Sequence, residues 1–385
     1  MIIKNGMIYS DQNSFVPLDI ITENDTIQQL SMGEDGTQSY DSTNHQVIDA
    51  TDCYVIPGLT DLHFHGCVGF DACDSAIDAI DEIASYELSH GITTICPTTM
   101  TLPEEELLSI LSTIHNYKAT HSDPNHADVL GIYLEGPFLS KLKKGAQDST
   151  HMVAPNVSLY EKLTTAAHGL IKFVAIAPEE SNALELIERY HNEVTFTIAH
   201  TVSDYDTCMQ GFNVGARQVT HLFNAMPSLH HRSPGVIGAA FDSPHSIVEL
   251  IADGNHIHPS VVRLTFQLFG DDRVILVSDS MCATGMPDGK YSLGGQDVYV
   301  KDSVAELEDQ TIAGSTTNLY DCMCRAIQMG IPIESAIKAA CENPIKALGL
   351  YDTYGSITPN KKANLLVITK DLQIRHIIKD GKVYR

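Results

Sequence analysis

The middle of the chain alternates short apolar segments with stretches of helical periodicity, and this alternation limits the folds it can adopt. Eight segments, four to eight residues long, are mostly apolar or β-branched, as strands buried on both faces should be. They cover residues 55–62, 93–98, 131–134, 173–177, 194–199, 218–222, 247–252 and 274–277. Helix-like stretches such as 76–90, 103–119, 182–191 and 259–269 lie between them. Eight β–α units predict an α/β fold of the TIM-type (β/α)₈ barrel class, with an open doubly wound sheet as the alternative.

Both ends of the chain have the pattern of short β segments. These cover residues 1–3, 7–9, 18–21, 26–30, 47–49, 365–368 and 373–378. Asn5-Gly6 and Asp380-Gly381 have the composition of hairpin turns, and the polar stretch 33–44 is typical of an exposed loop. Closing helices at 318–329 and 332–341 follow a loop or hairpin at 291–308. We therefore predict a small β-sandwich domain from residues 1–55 plus 350–385 and a barrel from residues 56–349.

The charge balance narrows the choice of partners. The 385-residue chain carries 24 Lys plus Arg against 49 Asp plus Glu, a net charge of −25. Such a chain is a poor ligand for nucleic acid or an anionic membrane, although a local cationic pocket can still bind an anionic small molecule. Its cysteines are odd in number without a C-x-x-C pair, and neither a signal peptide nor an apolar run of transmembrane length is recognisable. We expect a cytoplasmic protein.

Metal-binding residue types stand at the C-terminal ends of the predicted strands, where barrels of this kind build their sites. They are His63, His65, Glu135, His200, His221 and Asp279. His63 and His65 are two residues apart on a strand and therefore share a face. Imidazole and carboxylate groups suit Zn²⁺, with Fe²⁺ or Mn²⁺ as alternatives. Six ligands exceed the need of one open catalytic ion and suit two that share a carboxylate, so we predict one or two divalent ions.

Charged residues near this rim have more than one interpretation. Asp279 ligates a metal, acts as general base towards a water, or caps the following segment, and a carboxylate at the edge of a metal site can do the first two together. Arg232 offers a planar fork that matches phosphate oxygens, but a surface glutamate would satisfy it equally well. Lys143 and Lys144 are interpreted as part of a solvated loop.

Seven segments carry recognisable motifs in one consistent order across nearly the whole chain. They are residues 57–66, 91–94, 134–138, 220–226, 251–256, 313–316 and 342–344. Together they resemble the amidohydrolase superfamily, and within it the N-acetylglucosamine-6-phosphate deacetylase family. Leu-Glu-Gly-Pro-Phe at 134–138 and Thr-His-Leu-Phe-Asn-Ala-Met at 220–226 are specific to these deacetylases, whereas His-x-His and the strand-end aspartate belong to the wider superfamily.

The resemblance implies a (β/α)₈ barrel with a small β domain from both termini. By position, Glu135, His200 and His221 match the principal metal ligands of the family. His63 and His65 match a pair found only in members with a second metal position. The catalytic aspartate of the family falls on Asp279.

The resemblance also implies residues that bind the substrate. Asn224, Ala225 and His256 match residues that hold the sugar phosphate. Arg232 matches an arginine that reaches the phosphate in the neighbouring subunit's site, so a homodimer is expected. Gln147 stands where the family often has histidine; it can donate a hydrogen bond to a carbonyl but cannot carry charge, and we assign it to substrate binding without a charged role.

The implied activity is hydrolysis of N-acetylglucosamine 6-phosphate to glucosamine 6-phosphate and acetate in amino-sugar catabolism, with Asp279 as general base and acid. Alternatives are an N-acetylgalactosamine-6-phosphate deacetylase, a dihydroorotase-type or D-aminoacylase-type hydrolase, and a noncatalytic relative. Many dihydroorotase-type members bridge two metals with a carboxylated lysine at the fourth strand, but residues 173–179 offer no lysine there, whereas Glu135 is available. A noncatalytic relative would have lost ligands that this chain keeps.

Overall fold

The computed structural model describes residues 1–32, 46–121 and 123–385, so the predicted loop 33–44 lies outside the described residues. Within them, parallel strands follow one another in chain order around a barrel. The barrel strands are Leu59–Phe64, Ile92–Thr99, Ile132–Leu134, Ile171–Ile176, Thr195–Ile198, Gln218–Val219, Ile247–Ile251 and Val274–Val277. A two-residue strand, Asp128–Val129, precedes the third and pairs with the second.

The barrel closes between its last and first strands. The Asp279 N–H donates to the His63 carbonyl at 2.9 Å, and the Ser278 N–H donates to an Asp61 carboxylate oxygen at 3.4 Å. Neighbouring strands pair in chain order from the first to the eighth, which confirms the predicted (β/α)₈ barrel. The open doubly wound sheet is excluded, because its strand order reverses at a switch point.

Helices pack around the barrel and connect its strands. The α-helices are Ile77–Ser89, Glu104–Thr120, Val157–Ala166, Ala183–Tyr190, Tyr205–Asn213, Gly235–Asp242, Pro259–Phe269, Leu319–Gln328, Ile333–Ile337 and Asn343–Ala347. A short 3₁₀ turn covers Lys141–Lys143, and the predicted helix 332–341 continues into a π-helical turn at Lys338–Glu342. In the part of the chain that the structure describes, no helix is both long and apolar enough to cross a bilayer.

Strands from both termini form one sheet, as predicted. They are Ile2–Tyr9, Phe15–Glu23, Thr26–Ser31, Val47–Asp49, Cys53–Pro57, Leu365–Thr369, Ile374–Lys379 and Lys382–Val383. Cys53–Pro57 is central, parallel to Ile2–Tyr9 and antiparallel to Leu365–Thr369. Side chains from both ends share one apolar core, including Ile8, Val55 and Val367. The Asp380-Gly381 turn is confirmed, because Lys379 pairs with Lys382.

Two local predictions are wrong. Asn5-Gly6 is not a hairpin turn but lies inside Ile2–Tyr9, where Asn5 has φ 64° and the register with the next strand shifts. The predicted first barrel strand, 55–62, spans two strands in different sheets, and the chain passes from one sheet to the other at Gly58. A Cβ on Gly58 would overlap the Thr93 side chain, so the crossing requires glycine.

A three-stranded antiparallel sheet stands where the sequence predicted a loop or hairpin at 291–308. Its strands are Gly289–Leu293, Gln296–Lys301 and Val304–Glu306. Gln296 donates a side-chain hydrogen bond to the Ala146 carbonyl, which joins this sheet to the loop that follows the third barrel strand. Leu293 and the nearby Ile312 line the cavity at the end of the barrel, so the added sheet forms part of the cavity wall.

Candidate active site

The six predicted metal ligands meet at the C-terminal end of the barrel. All six side chains are buried. They form two groups, each with ligand atoms within 4.8 Å of one another: His63, His65 and Asp279, and Glu135, His200 and His221. Parallel strands in a barrel present their C-terminal ends to the same face, which brings together residues far apart in the sequence.

Glu135 lies between the two groups. Its Oε1 is 3.2 Å from His200 Nε2 and 3.1 Å from His221 Nε2. Its Oε2 is 3.3 Å from His65 Nε2, and Asp279 Oδ1 is also 3.3 Å from that nitrogen. His63 Nε2 lies 3.5 Å from Oε1, so the Glu135 carboxylate is within reach of ligand atoms from both groups and could be shared by two ions.

Backbone carbonyls set the proton positions on two of the histidines. His200 Nδ1 lies 2.9 Å from the Lys143 carbonyl, and His65 Nδ1 lies 3.3 Å from the Thr98 carbonyl. A carbonyl oxygen only accepts, so each Nδ1 is the donor. In the neutral ring, Nε2 then presents its lone pair to the centre, as a metal-ligating histidine must.

The donor atoms fit a divalent cation. The Nε2 atoms of His200 and His221 lie 3.1 Å apart and both face Glu135. His63 Nε2 is buried and has no hydrogen-bond partner among the described residues. Convergent imidazole nitrogens beside a carboxylate are the ligands that zinc and similar ions take, so a cation would satisfy atoms that the protein leaves unpaired.

Three of these residues have an unusual backbone conformation. φ is 42° at His200, 29° at His221 and 49° at Asp279. Residues other than glycine rarely adopt this left-handed region, and those that do concentrate at functional sites. At Asp279 the conformation is held from both sides: its N–H donates to the His63 carbonyl at 2.9 Å, and its carbonyl accepts from the Ser315 N–H at 2.7 Å.

Both carboxylates of the centre have a lowered pKa. Burial opposes the charge on Glu135, but the neighbouring histidines, His63 above all, outweigh it and hold the pKa of Glu135 well below its usual range. Burial likewise opposes the charge on Asp279, and the hydrogen bond with His65 contributes most to lowering its pKa. The lowered pKa values favour the charged form of both carboxylates at neutral pH.

The centre opens into a cavity of about 460 Å³. That volume lies within the range of about 300–1,000 Å³ that small-molecule sites occupy. Five of the six ligands line it: His65, Glu135, His200, His221 and Asp279. Deep burial of the ligands with one open side leaves room for a substrate to approach the centre.

Three predicted substrate residues, Asn224, Ala225 and His256, also line this cavity. His256 Nδ1 lies 2.7 Å from Asp253 Oδ2. Burial alone would lower the pKa of His256, but the hydrogen bond and charge of Asp253 outweigh burial and raise it. His256 is therefore more readily a cation than an ordinary histidine, and it stands in the cavity wall.

The other two predicted substrate residues are placed differently. Arg232 is exposed and outside the cavity lining of a single chain, with Nη1 2.7 Å from His231 Nε2. Gln147 lines the cavity, but both ends of its amide are engaged. Its Oε1 accepts from the Thr101 N–H at 2.7 Å, and its Nε2 donates to Glu135 Oε2 at 2.7 Å.

Sequence reasoning missed two features of the site. Lys143 and Lys144 are half-buried in the cavity wall rather than on a solvated loop, and their place soon after Glu135 was the available signal. Glu249 contacts His63 from inside the barrel, with 2.9 Å between Oε2 and Nδ1. The signal there was a single glutamate in an otherwise apolar strand, Ile247–Ile251.

A closed (β/α)₈ barrel with a histidine–carboxylate centre at the C-terminal ends of its strands defines the class of metal-dependent barrel hydrolases. Residues 54–384 match the Amidohydrolase family model. The chain therefore belongs to the amidohydrolase family, which confirms the resemblance and the prediction of an enzyme.

Individual relatives cover almost the whole chain. The N-acetylglucosamine-6-phosphate deacetylase of Bacillus subtilis is 35% identical over 375 residues, which are 94% of this chain and 95% of the relative. The N-acetylgalactosamine-6-phosphate deacetylase of Escherichia coli O157:H7 is 31% identical, over 85% of this chain and 86% of the relative. A solved Mycobacterium smegmatis N-acetyl-D-glucosamine-6-phosphate deacetylase variant, in complex with N-acetyl-D-glucosamine-6-phosphate, has a TM-score of 0.92 at 29% identity and covers 100% of this chain and 99% of its own.

Proposed function

We propose that this enzyme hydrolyses the acetamide bond of N-acetylglucosamine 6-phosphate to give glucosamine 6-phosphate and acetate. The observation that carries the proposal is a single cavity that joins two ligand groups at Glu135 and also contains predicted sugar-phosphate contacts. Similarity to deacetylases of this name over 94% of the chain supports the choice of substrate.

The two ligand groups would hold one or two divalent ions, with Zn²⁺ as the first choice and Fe²⁺ or Mn²⁺ as alternatives. Glu135, with His200 and His221, would form the principal position, and His63, His65 and Asp279 the second. A bound ion of this kind lowers the pKa of a water molecule towards about 7 and polarises a carbonyl group. Because the Glu135 carboxylate lies close to histidine nitrogens of both groups, Glu135 would be shared.

Asp279 would transfer the proton. Its pKa is lowered, it lines the cavity, and hydrogen bonds of its own backbone fix its position. In this mechanism Asp279 accepts a proton from the attacking water and returns it to the nitrogen of the leaving amine, because an unprotonated amide nitrogen is a poor leaving group. The acetamide would therefore lie between the Asp279 carboxylate and the Glu135 side of the centre.

The sugar phosphate would contact residues of the cavity wall that are not metal ligands. Asn224, Ala225 and His256 belong to this wall, and the raised pKa of His256 favours an anionic group beside it. Gln147 would contact substrate only if its amide leaves Glu135 or Thr101, because its hydrogen bonds are occupied.

A second copy of the chain would complete the phosphate site. Arg232 is exposed and outside its own chain's cavity, so it is free to reach the cavity of a partner in a homodimer. A cytoplasmic location and a role in amino-sugar catabolism complete the proposal. The nine free cysteines support a reducing compartment.

The second candidate substrate is N-acetylgalactosamine 6-phosphate. The relative from Escherichia coli O157:H7, at 31% identity, carries the corresponding activity in its name. The two sugars differ only in the configuration at C4, so the acetamide and the phosphate would make the same contacts. Discrimination would then depend on the cavity wall between these two ends.

The test is an acetate-release assay on the two amino-sugar 6-phosphates, the two unphosphorylated sugars and a cyclic ureide, each with and without chelator. The expected result is the highest kcat/KM on N-acetylglucosamine 6-phosphate, and loss of that activity with chelator that is restored by Zn²⁺. A preference for the galacto epimer would transfer the proposal to the second candidate. Release of acetate at equal rates from phosphorylated and unphosphorylated sugars would overturn the phosphate site.

A further inference from the structure

A carboxylate in the barrel interior contacts the metal centre from behind. Glu249 is fully buried, and its Oε2 lies 2.9 Å from His63 Nδ1. The His221 backbone N–H donates to the same oxygen at 3.2 Å. The Gln218 side-chain amide donates to Oε1 at 2.6 Å. These contacts supply hydrogen bonds to both oxygens of a buried charge, as its stability in the barrel requires.

His63 is supported differently from the other ligand histidines. The Nδ1 atoms of His65 and His200 donate to the neutral carbonyls of Thr98 and Lys143. His221 Nδ1 is buried without a hydrogen-bond partner among the described residues. A carboxylate behind the ring does more than a carbonyl: it fixes the proton on Nδ1, orients the ring and makes Nε2 a more basic ligand.

We propose that Glu249 is the positioning residue that enables the second metal position, formed by His63, His65 and Asp279, to bind its ion. Through its contact with His63 Nδ1, Glu249 directs the Nε2 lone pair into the space bounded by Glu135 and Asp279. Its negative charge also offsets part of the charge of a second cation close to the first. This inference rests on the metal centre of the proposed function and is independent of the substrate.

The surroundings of Glu249 allow its charge to be removed with little change in shape. In Glu249→Gln, the new amide oxygen still accepts from His63. Gln218 Oε1 is buried without a hydrogen-bond partner among the described residues, so rotation of the Gln218 amide would let it accept from the new NH₂ group. Glu249→Gln therefore removes only the negative charge, whereas Glu249→Met removes both the charge and the hydrogen bond with His63.

The experiment is a titration of chelator-stripped protein with Co²⁺, read by bound metal per chain and by the visible spectrum of the ion at each position. The wild-type chain should bind two ions. Glu249→Gln should weaken the second ion about tenfold and Glu249→Met about 100-fold, with the first ion much less affected, because outer-shell partners contribute effects of this size. Excess Co²⁺ should restore the second ion's spectrum in Glu249→Gln.

Gln218→Met is the matched control, because it removes a donor from the far oxygen of Glu249 and leaves His63 untouched. It should weaken the second ion less than either Glu249 variant. The melting temperature of the metal-free protein should be the same for Glu249→Gln and the wild type. Binding of a single ion by the wild type, wild-type affinity in both Glu249 variants, or equal weakening at both positions would each overturn the inference. A lack of deacetylation would overturn only the proposed function, since the titration contains no substrate.

Discussion

The two ends of the cavity are built from different parts of the barrel. The metal end consists of buried side chains on strands or within two residues of their ends, and the ring nitrogens of His65, His200 and His221 lie 3.1–3.3 Å from the Glu135 carboxylate oxygens. The proposed substrate end consists of the predicted sugar-phosphate residues Asn224, Ala225 and His256 together with Lys143 and Lys144, all in segments that follow barrel strands and line the same cavity. The contrast is between a centre whose ligands are held by the barrel and a recognition surface held by loops.

This difference indicates which residues should control catalysis and which should control substrate binding. The metal end is complete within one chain, because closure of the barrel brings its ligands together. In the proposed homodimer the substrate end would require a second chain, because the predicted phosphate ligand Arg232 lies outside its own chain's cavity lining. We therefore expect changes at the metal end to alter kcat and changes at the substrate end to alter KM.

The sharpest test of the metal end is Asp279→Asn. Asparagine cannot accept and return the proton, so kcat should fall by about 10²–10⁴-fold, the usual contribution of general acid–base catalysis. The measurement is steady-state deacetylation, accompanied by the metal content of the principal position. A variant that kept most of its kcat with unchanged metal content would show that another group transfers the proton.

At the substrate end, Arg232→Ala should raise KM for the phosphorylated sugar about 10–100-fold, because a charge-assisted contact to phosphate is lost. The unphosphorylated sugar is the control and should show no such change. Mixed dimers test the partner's role directly. In a mixed dimer of an Arg232→Ala chain and an Asp279→Asn chain, the first chain keeps Asp279 and the second supplies Arg232 to the first chain's site. This dimer should have a low KM, and a KM that stayed high would show that Arg232 does not act in the partner's site.

Lys144→Ala should raise the same KM less, by about 3–10-fold, because a flexible ammonium group contributes as a point charge rather than a planar fork. Lys141→Ala is the matched control: Lys141 belongs to the same loop but is exposed and outside the cavity lining. If the two variants had equal effects, the effect of Lys144 would come from the general positive charge of the loop rather than from a contact with the phosphate.

The smallest expected effect is a pH dependence at His256. The hydrogen bond with Asp253 outweighs burial and raises the pKa of His256, so the ring is a cation below that pKa and loses its charge as pH rises through it. KM for the phosphorylated sugar should therefore rise by a few-fold with increasing pH, and His256→Gln should abolish this rise. Steady-state kinetics with the unphosphorylated sugar are the control, because they report any pH dependence that originates at the metal end. A rise of the same size in KM for the unphosphorylated sugar would contradict the assignment of the pH dependence to His256.

The barrel was predictable because strands buried on both faces leave continuous apolar runs. One error occurred where neighbouring residues belong to different sheets, and another where a pair typical of turns lies inside a strand. Residues 55–62 form one apolar run, but the chain passes from one sheet to another at Gly58. The hydrophobicity of the residues does not change at that point, so the boundary cannot be predicted from it. Asn5-Gly6 has the composition of a turn, yet pairing on both sides keeps Ile2–Tyr9 continuous.

The amino-acid sequence was sufficient to predict which residues lie at the strand ends and therefore which ligand types gather at the rim. This was possible because apolar strand segments and their alternation with helices are local, repeated patterns. Three contacts could be recognised only in the tertiary structure: Glu135 lies between the two ligand groups, Gln147 donates a hydrogen bond to Glu135, and Glu249 contacts His63. Gln147 and Glu135 are 12 positions apart in the sequence, and Glu249 and His63 are 186 positions apart. The geometry of these contacts therefore exists only once the barrel has closed.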